Sequence, residues 1–350
     1  MSWRVKHLYI HIPFCKSVCT YCDFVRFVSD ETNIKKYIDK IIKEIKTKCR
    51  PNQFETIYIG GGTPNYLNNK TLNHLLGNLN KYLQAKKYEF TIECNPEHLT
   101  YEQALVLKKN KINRVSLGVQ TVNNNILIKY KRQHTFNNVK LAITNLHKAN
   151  INNISCDLIY GFNELTNKDI KQAVQFIMNE CIRHVSWYAL ELKNNSILNN
   201  QKYQLNDTLI EKQLAYVIKC MNDIKYQRYE VSSWSINKKY QSMHNKAYWL
   251  SNDWKAIGLG ACGFENKVYY ENIGNIKEWK PKKTIYTKQD YYFQIMLMGL
   301  RLKEGLNLNR KMHKDAYLFY KDKLEYVHIT NNHLISDNLN LLDNTLQELI

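Results

Sequence analysis

The chain has 350 residues, 44% of them hydrophobic, and a formal net charge of +19; that length can bury a sizeable core and suggests two or three domains. It holds no run of about 18 apolar residues, and its start, MSWRVKHLYIHIPF, lacks the apolar stretch and small-residue cleavage site of a secretory signal, so a soluble, cytoplasmic protein without a transmembrane segment is expected. The charge could suit nucleic acid, but nine arginines and 41 lysines are scattered among asparagines with no long basic block, which argues against that partner.

Short β-rich apolar runs recur in chain order at Leu8 to Ile12, Thr56 to Ile59, Glu89 to Cys94, Arg114 to Val119, Ser155 to Tyr160 and His184 to Leu190. Between them lie helical periods. The clearest places Ile34, Tyr37, Ile38, Ile41, Ile42 and Ile45 on one stripe of a lysine-rich helix. Strands alternating with helices predict parallel βα units, here an incomplete (β/α) barrel of six. Polar or glycine-rich groups follow every predicted strand, which brings them together at the C-terminal mouth where such folds build their sites. From about residue 230 the pattern changes to an aromatic-rich stretch, a helix at DYYFQIMLMGLRL and short alternating runs. This predicts two units, residues 1–230 and 231–350, the second of α+β character with a small winged-helix-like end.

Three cysteines follow the first strand as C-x3-C-x2-C: Cys15, Cys19 and Cys22. In a reducing compartment such a cluster points to metal or chemistry rather than disulfides. A structural zinc site needs four ligands, commonly as paired C-x2-C motifs, and the other cysteines are isolated. His11 is near, but its side chain is expected to point away from the loop. An iron-sulfur cluster fits better, because three thiolates leave one iron open for an outside ligand.

The segments HIPFCKSVCTYCDF, GGGTPN, IECNP, SLGVQT, DLIYGF, HNKAYW and GLRLKEG resemble the radical S-adenosylmethionine superfamily. More narrowly they resemble the oxygen-independent coproporphyrinogen III oxidase group and its heme-chaperone branch, HemW. The resemblance implies a 4Fe-4S cluster on Cys15, Cys19 and Cys22, an electron donor for it, and S-adenosylmethionine chelated at the open iron. It also implies cofactor contacts from Tyr9, Tyr21, Gly61, Gly62, Thr63, Glu93, Gln120, Arg132 and Asp157. Several have a physical rationale. Glycines let backbone N–H groups approach a ligand, arginine can fork a carboxylate, an acid can bind ribose hydroxyls, and Tyr21 can cover the adenine. Glu93 ends an apolar strand, where a carboxylate is costly unless paired. Arg114 opens a strand and is expected to pair with a neighbouring acid. Gly258, Gly260 and Gly263 spell G-x-G-x-x-G but lack a βαβ setting, so a dinucleotide site is not expected there.

The oxidase pattern has a further cysteine two residues past the third, where this chain has Phe24. That departure favours the chaperone branch, as does H-N-x-x-Y-W, present as His244, Asn245, Tyr248 and Trp249. The resemblance implies a protein that binds heme, with His244 as axial ligand and Tyr248 and Trp249 beside the macrocycle, and passes it to an acceptor protein. A capping or core role for His244 and its aromatic neighbours is the alternative at this point. The alternative function is oxidative decarboxylation of coproporphyrinogen III in porphyrin biosynthesis.

Overall fold

The computed structural model describes residues 5–347 and 349. Six parallel strands lie side by side in chain order: β1 (His7–Ile12), β2 (Thr56–Gly61), β3 (Glu89–Cys94), β4 (Arg114–Gln120), β5 (Ile154–Tyr160) and β6 (His184–Ala189). Helices at Glu31–Lys48, Asn69–Leu79, Tyr101–Lys109, Phe136–Lys148 and Asn167–Asn179 cross between them. Leu8, Ile10, Ile12, Ile57 and Ile59 alternate toward these helices and are fully buried. The predicted stripe from Ile34 to Ile45 is buried at all six positions, with Asp30 capping the helix by accepting from the Asn33 N–H. Each such side chain contributes roughly 1.5–3 kcal/mol of burial, so the helix is held by packing.

The sheet is open and continues past both edges of the parallel set. On one side β7 (Gln227–Glu230) and β8 (Ser233–Ser235) add to β6 as an antiparallel hairpin. On the other, β9 (Trp254–Ile257) pairs parallel with β1, and β10 (Cys262–Glu265), β11 (Val268–Gly274) and β12 (Trp279–Ile285) follow as an antiparallel meander. The whole is a sheet of 12 strands. The expected boundary at residues 230/231 thus falls inside the β7–β8 hairpin. A second apolar cluster, around Ile295, Met296, Leu300, Leu306, Tyr320 and Leu334, draws on the helix Lys288–Gly299 and later residues. There the helices Lys288–Gly299 and Lys311–Tyr320 accompany a three-stranded sheet of β13 (Leu306–Asn307), β15 (His333–Ser336) and β14 (Val327–Thr330), in the manner of a winged helix. Backbone bonds from Val231 N to Arg301 O (3.1 Å) and from Lys303 N to Tyr229 O (2.9 Å) tie this unit to β7.

G-x-G-x-x-G runs from the turn after β9 into β10, strands that pair antiparallel with no helix between them, so it forms no dinucleotide fold. Arg114 is buried, and its Nη1 donates to the Tyr240 carbonyl at 2.9 Å and Asn153 Oδ1 at 3.3 Å. Its hydrogen-bond partners are thus neutral, and the expected acid is Asp157, whose pKa its charge lowers without a direct bond.

The N-terminal ends of the parallel strands are closed by the helix Met243–Trp249. Glu89, which opens β3, accepts from Met243 N (3.0 Å) and His244 N (2.9 Å) and so fills the cap of that helix. Glu89→Ala is expected to lower stability by about 1–3 kcal/mol, the usual cost of stranding buried donors. Chemical denaturation of both proteins measures the difference.

Candidate functional site

At the opposite, C-terminal end of the parallel strands a cavity of about 310 Å³ opens. Cys15, Cys19 and Cys22 form one wall. Their loop is held at both ends by backbone pairing: Cys15 N to Phe27 O at 3.0 Å, Phe27 N to Pro13 O at 2.6 Å, and Thr20 N to Tyr130 O at 3.3 Å. It is also locked to the next strand end, with Gly62 N donating to Ile12 O (2.9 Å) and Thr63 N to Phe14 O (2.8 Å).

The three glycines have separate reasons. A β-carbon at Gly60 would lie 2.8 Å from the Glu93 carboxyl, one at Gly61 2.7 Å from the His11 ring, and one at Gly62 2.8 Å from Cys15 Sγ. Gly61 also has φ +118°, a conformation side-chain-bearing residues rarely adopt. Thr63 Oγ1 lies 3.4 Å from Cys15 Sγ, and Arg132 Nη1 3.5 Å from Cys19 Sγ. Burial raises the Cys15 thiol pKa and pushes that of Cys22 up to about 11. Metal binding here would release protons and strengthen with pH.

Two carboxylates face the same space. Glu93 accepts from the Tyr58 hydroxyl (2.8 Å) and the Gly61 N–H (3.0 Å); burial, with Asp157 adding to it, raises its pKa to about 7. Asp157 accepts from Ser116 Oγ at 2.8 Å, and burial raises its pKa to about 6. Gln120 stands at a β-bulge with φ +64°, which turns its amide over Gly118. Arg132 donates to Asn95 Oδ1 (2.9 Å) and the Gly118 carbonyl (3.1 Å), and its guanidinium acts on the buried Tyr21 hydroxyl, partly offsetting the burial that raises the Tyr21 pKa.

The structure thus gathers Cys15, Cys19, Cys22, Tyr21, Gly61, Gly62, Thr63, Glu93, Gln120, Arg132 and Asp157 around one cavity. Tyr9 lies apart from its wall, deeper in the lumen, stacked on Tyr58 (6.1 Å between centroids) with its hydroxyl 2.9 Å from His11 Nδ1. His11 corrects the expectation made for it: its Nε2 lies 2.9 Å from the Val25 carbonyl, so the ring reaches the cysteine loop and braces it.

His244 lies at the other end of the lumen. Its ring is 1% exposed, with Nδ1 at 2.7 Å from Thr56 Oγ1 and Nε2 at 2.6 Å from the Tyr248 hydroxyl. The ring stacks on Tyr58 at 5.1 Å, and burial holds its pKa well below 6.5. Both ring nitrogens are thus hydrogen-bonded within the protein, an arrangement compatible with the core role left open from sequence. Trp249 turns to the C-terminal unit, where the Arg301 guanidinium lies 4.8 Å over its ring.

Sequence reasoning missed Tyr58, Asn95, Ser116, Gly118 and Tyr188, all on the cavity wall. The register pairs Asp157 with Ser186, so reading inward alternation across strands would have found a hydroxyl partner of that acid. Cys94 also borders the cavity but is only 2% exposed, packed among core side chains.

The residues fit an iron-sulfur cluster with an organic cation beside it. Three thiols share one wall, two buried acids can meet positive charge, and the Arg132 guanidinium with the neighbouring Tyr21 hydroxyl supplies donors. An open parallel sheet with a three-thiol loop at its C-terminal mouth is the arrangement of a radical S-adenosylmethionine protein. In agreement, residues 9–177 match the Radical SAM superfamily. The solved coproporphyrinogen III oxidase (HemN) of Escherichia coli has the same fold, with a TM-score of 0.82 over 99% of this chain and 90% of that one at 18% identity.

Among curated proteins, the heme chaperone HemW of Lactococcus lactis is 33% identical over 92% of this chain and 88% of its own. That of Bacillus subtilis is 29% identical over 87% and 86%. The chain belongs to the HemW family of radical S-adenosylmethionine proteins.

The Glu93 carboxyl gives a pH test. Its folded pKa of about 7 exceeds the ordinary 4.5, so the folded state keeps the proton longer and ionisation costs stability as pH rises through that window. Seven histidines with lowered pKa act oppositely, making the parent more stable as pH rises toward 6.5. The expectation is therefore differential. In the cluster-free chain, Glu93→Gln gains stability relative to the parent between about pH 4.5 and 7 and holds a constant offset above. Urea titrations across that range check the sign.

Proposed function

We propose that this chain is a heme chaperone: it binds heme, holds a 4Fe-4S cluster with S-adenosylmethionine in the mouth cavity, and passes heme to an acceptor protein. The observation that carries this reading is similarity to proteins named heme chaperones along nearly the whole chain, 92% of it for the Lactococcus lactis relative. Phe24 supports it from within, since it stands where the oxidase pattern has a further cysteine. Among the described residues no helix is long and apolar enough to cross a membrane, which suits our further reading that transfer takes place in the cytoplasm.

Cys15, Cys19 and Cys22 would hold the cluster, which when bound supplies one-electron chemistry at the sulfonium of S-adenosylmethionine. Gly61, Gly62 and Thr63 line the cavity where the cofactor's methionyl end would lie, and Glu93 would pair with its ammonium. Asp157, fixed by Ser116 at 2.8 Å, would accept from ribose hydroxyls. Arg132 would meet the cofactor's carboxylate, and Gln120 and Tyr21 would line its remaining flank. An electron donor for the cluster is part of this reading. The oxidase alternative draws on the fold shared with the Escherichia coli enzyme, and Phe24 weighs against it.

Anaerobically reconstituted protein is expected to show the broad visible absorption of a 4Fe-4S cluster, abolished in the triple variant Cys15→Ala, Cys19→Ala, Cys22→Ala. The same sample is expected to bind added hemin and to leave coproporphyrinogen III unchanged after reduction. Turnover of coproporphyrinogen III would reverse the ranking of the two functions.

A further inference from the structure

Asp157 is held from behind as well as from the side. Ser116, on the cavity wall, meets its Oδ2 at 2.8 Å, while its Oδ1 faces the Oγ of Ser155 at 3.5 Å. From Ser155 a hydrogen-bonded line runs away from the cavity through the core. Ser155 Oγ is 2.7 Å from His184 Nδ1, His184 Nε2 is 2.9 Å from the Tyr229 hydroxyl, and that hydroxyl accepts from the Ser242 N–H at 3.3 Å. Strand register puts the members in reach, pairing Ser155 with His184 across β5 and β6. Ser155, His184 and Tyr229 are all buried and none of them lines the cavity. Groups of this kind are costly in a core unless their hydrogen bonds are made.

The line has a direction. A backbone N–H can only donate, so Ser242 makes the Tyr229 oxygen an acceptor and leaves its one proton for His184 Nε2. Burial, with the Arg114 charge adding to it, holds the His184 pKa well below 6.5, so the ring carries a single proton. With Nε2 accepting, that proton sits on Nδ1 and goes to Ser155 Oγ. The Ser155 proton is then left for Asp157 Oδ1. In the opposite arrangement the Tyr229 proton would lose its acceptor, and Ser155 would turn lone pairs toward a carboxylate.

We propose that His184 is a positioning residue for the cofactor cavity: through Ser155 it delivers a second donor to Asp157 and holds that carboxylate as an acceptor for the ribose hydroxyls of S-adenosylmethionine. This role rests on the cofactor reading above and extends it to a histidine outside the cavity. A carboxylate offers about four acceptor sites, so two serine donors leave room for a pair of hydroxyls. The same line ties the cavity to the helix Met243–Trp249, whose N-cap is Ser242. The other titratable groups around Asp157 are Arg114 from β4, Glu93 from β3, Tyr58 from β2 and Tyr188 from β6. All four are common to the parent and a His184 variant, so a difference between the two reports the line.

The first test uses the full cluster-free chain with aspartate isotopically labelled at its carboxyl carbon, titrated by NMR, with Asp157→Asn assigning the resonance. The parent Asp157 is expected to titrate near its raised value of about 6. His184→Phe keeps a ring without nitrogens and is expected to raise that value by about half a unit to one unit, the effect of a weakened hydrogen bond to the charged form. His184→Asn, whose amide nitrogen can take the place of Nδ1, is expected to retain the parent value. Ser155→Ala is expected to match His184→Phe and guards against a fold defect at His184. In the cluster-reconstituted protein, calorimetry is expected to show S-adenosylmethionine bound about twofold to fivefold more weakly by His184→Phe at about pH 6, and almost equally at about pH 8, where Asp157 is ionised in both. An Asp157 titration unchanged in His184→Phe and Ser155→Ala, or shifted as much by His184→Asn as by His184→Phe, would overturn the role of His184 and leave the cofactor reading standing. So would a shifted titration with unchanged affinity at about pH 6. Parent protein that holds its cluster and fails to bind S-adenosylmethionine would sink the cofactor reading, and this role with it.

Discussion

The ends of β1 and β2 approach so closely that no β-carbon fits between them. Gly62 lets the backbone just past β2 lie against Phe14 and Cys15, Gly61 leaves space for the His11 ring, and Gly60 leaves space for the Glu93 carboxyl, which the Gly61 N–H meets at 3.0 Å. The cysteine loop, the placement of the first acid and the roof of the cavity all follow from this one approach. An alanine at any of the three positions would have to displace a carboxylate, a histidine ring or a thiol.

Parallel topology turns that local contact into a site. Because six strands run the same way, every loop after a strand opens on one side, and groups far apart in sequence meet there: Cys19 and Arg132, separated by 113 positions, lie 3.5 Å apart. The other end of the lumen is spent on closure. His7, Thr56, His244 and Tyr248 form a hydrogen-bonded chain across it, and Glu89 caps the helix that carries His244. Tyr58 joins the two ends, stacked on His244 and bonded to Glu93. A buried, fully partnered network of this kind fixes the lumen so that the mouth keeps its shape.

Much of this was legible in the amino-acid order, for identifiable reasons. Strands buried on both sides read as short continuous apolar runs, so all six were visible, and the residues just past them had to share a mouth. The thiol spacing and the glycine run pointed to that mouth directly. Depth along the lumen was not legible. Alternation says that Tyr9, His11 and Tyr58 face inward, but only the register shows that Tyr9 stacks on Tyr58 beneath the cavity while His11 reaches the loop. The end of the sheet that His244 occupies was not legible either, because a motif tells which residues matter without telling where they lie. Strands β9 to β12 were taken for a new unit because antiparallel edge strands, exposed on one face, lack the continuous apolar run that marked the first six.

The central claim is that Cys15, Cys19 and Cys22 hold a cluster whose fourth iron is open to a small sulfonium ligand. Electron paramagnetic resonance of the reduced, anaerobically reconstituted protein with and without S-adenosylmethionine tests it most directly. The account predicts a cluster signal whose g-values shift when the cofactor is added, because the cofactor ligates the open iron. A signal that ignores it, or protein that takes up no iron, would contradict the account.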